Sequence, residues 1–583
     1  MMRFTNQMMR KMGTTTMNIA RRPMQMAIRK YRVTQKQQGF GQKRPKFFEK
    51  LERKEQGGPF SFFLVVFLIP LVFANQFQRY HIEEAREKGW PQIHRMNARI
   101  AKKIREGRVE GPDNSETERI LKNYKMDKKT NQKVPEENHY EYILIGGGTA
   151  SIAALRAIRK NDPNGKILIV CAENKAPYER PPLSKELWEN EANPTNHTFQ
   201  NYKGEQTSIY YDDVNQENVT LLTSTTVTNL NINDKSIKLD SGFEIGYNKC
   251  LLATGAEPRV LAQAADMEKV TTFRTIADYD KVAQDLEKNK DKNIVVIGGS
   301  FLGTEIAYAI GKKLKEMKSK GTVTQVFLER EVLSRILPTY VSELVKQALE
   351  NVGVKLVPNV TVGNIEYDNN KEKVKLELTR KNWLSADYVI NATGVFPNIE
   401  LAEQAGLEID TNNFGVSVNS ELEARGEVFV AGDVCSYYDS KFGRRRSEHH
   451  DNAMATGKTA GYNMSCEVAG KKKKEHTYQS MFWSGMGKDL HFEAVGQLKA
   501  QNKTVAVFEK IALAFEGEQW RFAQNTSTGQ FTCHPQSGII YYLNEKNVIE
   551  GILFVNKDKP SFKKARKLIG KSMKETDDFT GLL

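Results

Sequence analysis

Two glycine-rich loops in the sequence have the residue types and spacing that bind the pyrophosphate of a dinucleotide. The first loop follows an apolar strand predicted over residues 142–145 and reads Gly146, Gly147, Gly148 ahead of a helical pattern, in "EYILIGGGTASIAALRAIRK". Gly146 allows a tight turn, Gly148 lets the backbone approach a pyrophosphate, and the helix N-terminus supplies amide donors. Glu173 follows the next apolar strand, where a carboxylate accepts hydrogen bonds from a ribose diol.

The second loop lies on the order of 150 residues further along, which is one domain's length, in "NIVVIGGSFLGTEIAYAI". Ser300 stands in it where a glycine would allow the closest approach to a pyrophosphate. Its second predicted strand ends at Glu329, and a carboxylate there favours the ribose diol of NADH over the extra phosphate of NADPH. The neighbouring Arg330 weakens that inference, and Ser300 predicts weaker binding than three glycines would give.

Three further strand ends follow the loops in a fixed order. Each loop unit is followed by the letters A-T-G, at residues 253–255 and 392–394, and a later strand, "VFVAGDVCSYYD", places Asp433 after a glycine. One glycine loop alone occurs in many unrelated proteins. Two loops, each with its own A-T-G and then a late G-D, predict a flavoprotein that binds FAD and NADH.

A stiff, basic segment between the loops, "PYERPPLSKELW" at residues 177–188, predicts a wall for the flavin ring. Two adjacent prolines lock two φ angles and can hold the ring in a fixed plane. We expect Arg180 to pair with the flavin phosphates and Lys185 to stabilise negative charge near the reactive nitrogen. Glu305, on the helix after the second loop, is the expected partner of Lys185, and these two are the predicted catalytic residues. In the alternative interpretation the prolines end a strand and Lys185 is solvated.

The cysteines restrict the chemistry further. The five cysteines are scattered singly, with no C-x-x-C, so neither a disulfide framework nor a metal site is predicted. A redox-active cysteine pair is also missing from the sequence. Electrons taken from NADH must therefore pass to an external acceptor, which can be oxygen, a quinone or a partner protein.

The N-terminal residues differ in composition from the rest of the chain. All 12 Lys and Arg before Glu49 stand without a single acid, and they account for most of the net charge of +15. This composition is typical of a mitochondrial transit peptide, the alternative being a disordered basic tail. The nearly neutral remainder gives little support to nucleic-acid binding.

An uncharged apolar stretch, "PFSFFLVVFLIPLVFANQF", occupies residues 59–77. It is near the lower length limit for a transmembrane helix, and the alternative is a buried core helix. Basic residues precede it and mixed charges follow it. By the positive-inside rule the N-terminus would stay in the mitochondrial matrix, with the body in the intermembrane space.

The motifs together resemble those of the apoptosis-inducing factor family of mitochondrial flavoproteins. The resemblance runs from about residue 138 to the C-terminus and is carried by "IGGGTA", "PYERPPLSKELW", "GGSFLG", "VAGD", "RRRSEHHDNA" and "QSMFWS". It implies an α/β fold with two Rossmann-like, glutathione-reductase-like dinucleotide-binding domains and a C-terminal α+β domain, preceded by one transmembrane helix.

The expected domain boundaries follow from the resemblance and the N-terminal composition. They are a transit peptide at 1–55, a transmembrane helix at 59–77, a linker at 78–137, the FAD-binding domain at 138–270 and 399–476, the NADH-binding domain at 271–398, and the C-terminal domain at 477–583.

The resemblance also implies which residues contact the cofactors. For FAD these are Gly146, Gly147, Gly148, Thr149, Ala150, Arg180, Lys185, Val227, Arg274, Asp433, His449, His450 and Trp483. For the nicotinamide nucleotide they are Gly299, Ser300, Phe301, Leu302, Glu329, Arg335, Gly394, Glu448, His449, Glu493 and Asn556. The two adjacent histidines would otherwise be read as a structural pair.

The predicted function is that of an FAD-dependent NADH oxidoreductase of the intermembrane space, held on the inner membrane by one helix. Hydride transfer between stacked rings depends on positioning more than on acid–base groups. The resemblance links this activity to respiratory-chain biogenesis and cell death. It also implies partners: the intermembrane-space disulfide import oxidoreductase, respiratory-complex assembly factors, and a second copy in an NADH-dependent homodimer. The alternative is an NADH-sensing inner-membrane scaffold in which FAD is structural.

Overall fold

The structure is a computed structural model of the 583-residue chain. It describes residues 137–189, 197–201, 204–368, 370, 372–379, 382–487, 490–508, 511–516, 519–521 and 537–573. The predicted transit peptide, the predicted transmembrane helix at 59–77 and the linker up to residue 136 lie outside the described residues. Within the described ranges, no helix has the length and hydropathy that a bilayer span requires.

The first glycine loop joins a buried parallel strand to a helix, as its sequence predicts. Strand β1 (His139–Ile145) enters the loop and helix α1 (Thr149–Asn161) leaves it. The strands that follow are β2 (Ile167–Val170), β3 (Thr198–Gln200), β4 (Gln206–Ser208), β5 (Val219–Leu222), β6 (Val227–Asn231), β7 (Ser236–Leu239), β8 (Glu244–Leu252) and β9 (Ala256–Pro258). Strand β1 pairs in parallel with β2 on one side and β8 on the other.

The second glycine loop lies in a separate parallel sheet. In chain order its part of the structure contains β10 (Val270–Thr272), α2 (Ile276–Lys288), β11 (Asn293–Ile297), α3 (Phe301–Glu316), β12 (Thr322–Val326), α4 (Thr339–Asn351), β13 (Val354–Val357), β14 (Val362–Tyr367), β15 (Val374–Leu378), β16 (Asn382–Ala386), β17 (Tyr388–Asn391) and β18 (Val395–Pro397). The parallel strand order is β10-β17-β11-β12-β13, and β14-β15-β16 form an antiparallel sheet. The loop leaves β11, whose neighbours are β12 and β17.

The chain then returns to the first sheet. This segment contains α5 (Glu400–Gln404), β19 (Val416–Ser417), β20 (Glu423–Arg425), β21 (Val428–Val430), β22 (Cys435–Asp439), β23 (Gly443–Arg445) and α6 (His450–Ser465). Strand β21 pairs in parallel with β8, which gives the order β20-β21-β8-β1-β2-β5. The first sheet is therefore built from two segments that are separated in sequence by the second sheet.

The last part is an antiparallel sheet with one short helix. Its elements are β24 (Met481–Met486), β25 (Leu490–Gly496), β26 (Lys503–Phe508), β27 (Ile511–Glu516), β28 (Gln519–Arg521), β29 (Gly538–Leu543), β30 (Ile549–Val555) and α7 (Phe562–Leu568). The sheet order is β24-β25-β30-β29-β26-β27-β28. Side chains of this sheet, among them Phe492 and Leu553, share a hydrophobic core with Ile306 and Ile310 of α3. The predicted α/β fold is confirmed, and this sheet is fixed against the helix of the second loop.

Helices α1 and α6 approach each other closely at two glycines. A Cβ atom on Gly457 would overlap the backbone of Ala150, and one on Gly461 would overlap the backbone of Ala154. The two helices carry, respectively, the first glycine loop and the two predicted flavin-contacting histidines at their N-termini. Their close packing therefore fixes the position of the first glycine loop relative to the two histidines.

We expect Gly461→Ala to lower the thermal midpoint of the purified protein, because the added methyl group forces the helices apart. Overpacking of this kind costs about 1–3 kcal/mol. The control is Lys458→Ala on the exposed side of the same helix, for which the change stays within about 0.5 kcal/mol. The measurement is thermal unfolding monitored by circular dichroism. An unchanged or higher midpoint for Gly461→Ala would contradict the close-packing argument.

Candidate functional site

The first glycine loop is held against the A-T-G strand end that follows β8. Gly146 has φ +114°, and a Cβ atom there would overlap the carbonyl oxygen of Ala253. A Cβ atom on Gly147 would overlap the thiol of Cys171, whereas Gly148 has no atom within 4 Å of that position. The first two glycines are thus required by packing against the sheet. The third leaves open space beside the helix N-terminus.

Ser151 stands where a further glycine usually follows Gly146 and Gly148 in such loops, and its side chain makes a hydrogen bond that glycine could not make. Its hydroxyl donates a hydrogen bond of 2.6 Å to the carbonyl oxygen of Gly146, and the residue is fully buried. Sequence reasoning expected only close packing of helix and strand here. The serine also satisfies a carbonyl group at the tightest point of the turn.

An elongated cavity of about 540 Å³ extends from this loop to the N-terminus of α3. Most of the predicted FAD-contacting residues line it, and so do several predicted for the nicotinamide nucleotide. The predicted residues along its walls are Gly146, Gly147, Gly148, Thr149, Ala150, Glu173, Arg180, Lys185, Arg274, Phe301, Leu302, Glu305, Asp433, Glu448, His449, His450 and Trp483. The remaining predicted residues, which are not part of this lining, are Val227, Gly299, Ser300, Glu329, Arg335, Gly394, Glu493 and Asn556.

Arg180 lies beside Glu173 in the cavity wall. Its guanidinium donates to the Glu173 carboxylate and, at 2.8 Å, to the hydroxyl of Tyr178, which itself donates to Glu173 at 2.6 Å. The sequence assigned Arg180 to the phosphates and Glu173 to the ribose, and both roles stay predictions. Their contact orders both side chains before any ligand binds.

Arg274 is positioned by the start of helix α2. Thr275 and Asp278 form a capping box, and the backbone N–H of Arg274 donates to Asp278 at 2.9 Å. From there the Arg274 guanidinium reaches Asp433 at 3.0 Å. Asp433 follows β21 in a short 3₁₀ turn, as the late G-D motif predicts. The ion pair joins the start of α2, in the part of the structure that contains the second loop, to the segment that returns to the first sheet.

The proline segment forms a 3₁₀ turn over Pro181–Ser184 that delivers Lys185 to a buried carboxylate. The Lys185 ammonium lies 2.7 Å from Glu305 Oε2, and the two side chains are 15% and 5% exposed. Ser184 donates to the same oxygen at 2.7 Å, and Ser484 donates to Glu305 Oε1 at 2.6 Å. The alternative of a solvated Lys185 is wrong. The two serines carry no sequence signal, because they meet Glu305 across long separations.

The two adjacent histidines open helix α6 among aromatic rings. The His449 ring lies 4.9 Å from that of Phe482, and the His450 ring lies 5.6 Å, edge to face, from that of Trp483. Burial lowers the pKa of each histidine to about 4. Both rings are therefore neutral at pH 7 and add no charge to this end of the cavity.

The second glycine loop repeats the geometry of the first. Gly298 has φ +127°, and a Cβ atom there would overlap the carbonyl oxygen of Ala392 in the second A-T-G. Here the buried amide of Gln325 donates at 2.9 Å to the Gly298 carbonyl, the task that Ser151 performs in the first loop. Sequence reasoning missed Gln325, since a glutamine within an apolar strand carries no motif. Ser300 is exposed at the N-cap of α3.

The predicted residues outside the cavity are placed as follows. Arg335 Nε lies 2.5 Å from Glu329 Oε1, with the arginine 71% exposed, so this acid is held by a solvent-facing cation. Asn556 accepts a hydrogen bond of 2.8 Å from the backbone of His491. Glu493 pairs with Trp483 across β24 and β25. Val227 is buried at the start of β6. The cofactor roles of all these residues stay predictions.

The residues present fit a dinucleotide at the first loop. Gly148 opens on the cavity beside the N-terminus of a 13-residue helix, where amide donors and the helix dipole favour a pyrophosphate. The proline turn and the neutral histidine–aromatic cluster provide rigid, uncharged walls of the same cavity, against which a flat ring system can lie. His450 Nδ1 lies 3.4 Å from Thr149 Oγ1 at the start of α1, and Phe301 and Leu302, which begin α3 after the second loop, also line the cavity.

This constellation defines a two-nucleotide oxidoreductase, and comparisons with known proteins agree. The family model of the pyridine nucleotide-disulphide oxidoreductases matches residues 140–457, and that of the mitochondrion-associated C-terminal domain of apoptosis-inducing factor matches residues 460–536. The chain is 36% identical over 438 residues to "Apoptosis-inducing factor 1, mitochondrial" of Dictyostelium discoideum, covering 72% of this chain and 77% of that protein.

Two other similarities extend beyond the apoptosis-inducing factors. An NADH oxidase of Methanocaldococcus jannaschii is 30% identical over 61% of this chain and 75% of its own length. The crystal structure of a ferredoxin reductase from Rhodopseudomonas palustris, 23% identical, superposes with a TM-score of 0.58 over 71% of this chain and 91% of that chain, which supports the fold. The chain therefore belongs to the apoptosis-inducing factor family of pyridine nucleotide-disulphide oxidoreductases, enzymes that use FAD and NAD(H).

We expect Gly148→Leu to abolish FAD retention, because the side chain enters the space that a pyrophosphate needs. The backbone at Gly148 is extended, at φ −92°, and accepts any residue, so folding should survive. The measurement is bound flavin per protein chain after purification. Gly363→Leu is the matched control: this exposed glycine of β14 has nothing closer than 3.8 Å to an added Cβ. Equal flavin content in the two variants would contradict the assignment.

The neutral histidines predict a pH dependence of stability. Unfolded histidine has a pKa near 6.5, above the value of about 4 in the folded protein. As pH falls from about 6.5 to 4, the unfolded state takes up protons that the folded state does not, so stability decreases in that window. We expect His450→Asn to flatten the fall in thermal midpoint between pH 6.5 and 4.5. The control is His139→Asn, which removes an exposed histidine and should keep the parent slope. Equal slopes for the parent, His450→Asn and His139→Asn would contradict this prediction.

Proposed function

We propose that the chain oxidises NADH with FAD as its resident cofactor and passes the electrons to an external acceptor. The observation that carries the proposal is the buried Lys185–Glu305 pair. It stands where the cavity of the first glycine loop meets Phe301 and Leu302, which follow the second loop. One nucleotide entering from each loop would bring its reactive ring to this junction.

The first loop and its neighbours would hold FAD, which supplies a ring that accepts a hydride. The N-terminus of α1 and the open face of Gly148 would bind the pyrophosphate. The ion-paired Arg274 and Asp433 line the same cavity, and the proline turn would form a wall for the ring. Lys185 would place a positive charge beside the ring edge, where negative charge develops during reduction.

The nicotinamide side would be formed by α3 and the aromatic cluster. The Phe301 ring lies 5.1 Å from the Phe482 ring at an angle of 56°, and the Phe482 ring also contacts His449. These rings exclude water, and the neutral His449 adds no charge that would repel the nicotinamide cation formed on oxidation. Glu329, at the carboxyl side of β12, would bind the ribose diol of NADH and disfavour NADPH.

The finer parts of the proposal concern location and partners. We propose that residues 1–55 direct the chain to mitochondria and that residues 59–77 anchor it in the inner membrane, with the body in the intermembrane space. The apolar, uncharged stretch and its basic flank support this. Roles in respiratory-chain biogenesis and cell death, with the corresponding protein partners, are proposed on family membership alone.

Lys185→Met tests the proposed role of the pair. We expect the variant to retain FAD while anaerobic bleaching of its flavin absorbance by NADH slows about a hundredfold, the size of losing one group aimed at developing charge. The measurement is stopped-flow absorbance across the flavin bands, including the long-wavelength region. In the parent protein, a failure of NADH to bleach the flavin or to produce a long-wavelength band would sink the proposed function.

Lys249→Met is the matched control. Lys249 is 14% exposed and ion-paired with Glu427 at 2.7 Å, which resembles the setting of Lys185, but it lies outside both the cavity and its walls. Both variants remove an ammonium group from its carboxylates, Glu305 in one case and Glu427 and Glu467 in the other. If both variants lost the same amount of NADH reactivity, the loss would be explained by general destabilisation and not by a role of Lys185 at the flavin.

A further inference from the structure

The side-chain amide of Gln325 lies directly behind the second glycine loop. Gln325 is fully buried in β12, where its strand neighbours are Val296 of β11 and Leu356 of β13. Its Nε2 atom donates to the Gly298 carbonyl at 2.9 Å and to the Thr304 hydroxyl at 3.1 Å. The amide therefore joins the sheet to both the loop and the first turn of α3.

The oxygen of the same amide has no partner. Gln325 Oε1 is buried and accepts no hydrogen bond from any residue that the structure describes. An unpaired buried polar atom costs stability that an apolar side chain would not lose. Gln325 is thus explained by the two bonds that its nitrogen makes, and not by the packing of the sheet.

The bond from Gln325 fixes the direction of one peptide group in the loop. In a planar trans peptide the carbonyl and the N–H point to opposite sides. Because the Gly298 carbonyl points at Gln325, the N–H of Gly299 points away from it. Gly299 is half-buried, and this N–H donates to no described residue. The donor is left for a ligand.

The next peptide group is fixed in the same way by the segment after β12. The Gly299 carbonyl accepts a hydrogen bond of 3.1 Å from the backbone of Leu333, a buried residue with φ +58°. Such a left-handed backbone is uncommon outside glycine. The N–H of Ser300 then points away from Leu333 and likewise donates to no described residue. Two consecutive N–H groups are thus aimed outward at the start of α3, where a phosphate is favoured.

We propose that Gln325 is a positioning residue for NADH, which holds the Gly298 carbonyl back so that the Gly299 N–H faces the pyrophosphate. The inference rests on the proposed function, because it takes NADH as the nucleotide of the second loop. Without the amide, the Gly298 carbonyl is free to turn and to direct its oxygen at the phosphates. The pyrophosphate does not react, so its contacts are equal in the ground state and the transition state, and their loss weakens binding alone.

Gln325→Met removes both donors and keeps an unbranched side chain that adapts to the same space. We expect the Kd for NADH to rise about tenfold or more, as for a lost hydrogen bond to a charged group. The measurement is the dependence of anaerobic flavin bleaching on NADH concentration. The limiting rate at saturating NADH and the FAD bound per chain should match the parent, since the first loop has its own donor in Ser151.

Gln325→Glu supplies a readout that a merely structural role would not produce. Burial raises the pKa of a carboxyl group, so at about pH 6 this side chain is protonated and can donate its O–H to the Gly298 carbonyl. At about pH 9 it is ionised, donates nothing and repels that carbonyl. We expect the ratio of its NADH Kd to that of the parent to be near one at the lower pH and about tenfold or more at the higher pH.

Gln263→Glu is the matched control. The Gln263 amide also donates to a glycine carbonyl, that of Gly363 at 3.2 Å, but at an exposed position away from the loop. Its NADH Kd should follow the parent at both pH values. An unchanged Kd in Gln325→Met, or a ratio for Gln325→Glu that does not change with pH, would overturn the inference. Failure of NADH to bleach the parent flavin would instead overturn the proposed function.

Discussion

A single buried carboxylate organises this molecule. Glu305 accepts hydrogen bonds from Lys185, Ser184 and Ser484, which come from the proline segment and from β24 of the C-terminal sheet. Taking an ionised carboxylate out of water costs several kcal/mol unless its oxygens are fully bonded. The oxygens of Glu305 are therefore fully bonded only when all three parts of the chain are in place. The site is complete only when the proline segment, α3 and β24 have come together, and no single domain supplies all of its residues.

The position of Glu305 depends on close packing elsewhere in the described part of the chain. Helix α3 carries Glu305, and it is fixed to the C-terminal sheet by a shared core that includes Ile306 and Phe492. Helices α1 and α6 are fixed to each other by the glycines that admit no side chain. A shift of α3 would separate Glu305 from its donors Lys185, Ser184 and Ser484. The packing of α3 against the C-terminal sheet therefore helps to hold Glu305 within hydrogen-bond distance of its donors.

The sequence predicted the features that short motifs carry. Both glycine loops and the two A-T-G strand ends follow from residue types in such motifs, and the structure contains them. The pairing of Lys185 with Glu305, 120 residues apart, was predicted because each residue stands in a motif expected at the junction of the two nucleotides. The contribution of Ser484 could not be predicted, because a serine gains its meaning only from the carboxylate that folding brings to it. Gln325 is a similar case: its polarity inside a buried strand is explained by one carbonyl group in a loop 27 residues away.

The two loops also show how one geometric problem receives two local solutions. In both, the first glycine turns its backbone against an A-T-G strand end and leaves a carbonyl to be satisfied. The first loop uses Ser151 from its own helix, and the second uses Gln325 from the next strand, since Gly303 at the equivalent position lies too close to the Gly298 carbonyl for any side chain. A motif search that requires glycine at the third position would therefore reject the first loop, although Ser151 satisfies the Gly146 carbonyl there. The second loop keeps a glycine at that position, Gly303, and Gln325 supplies the donor instead.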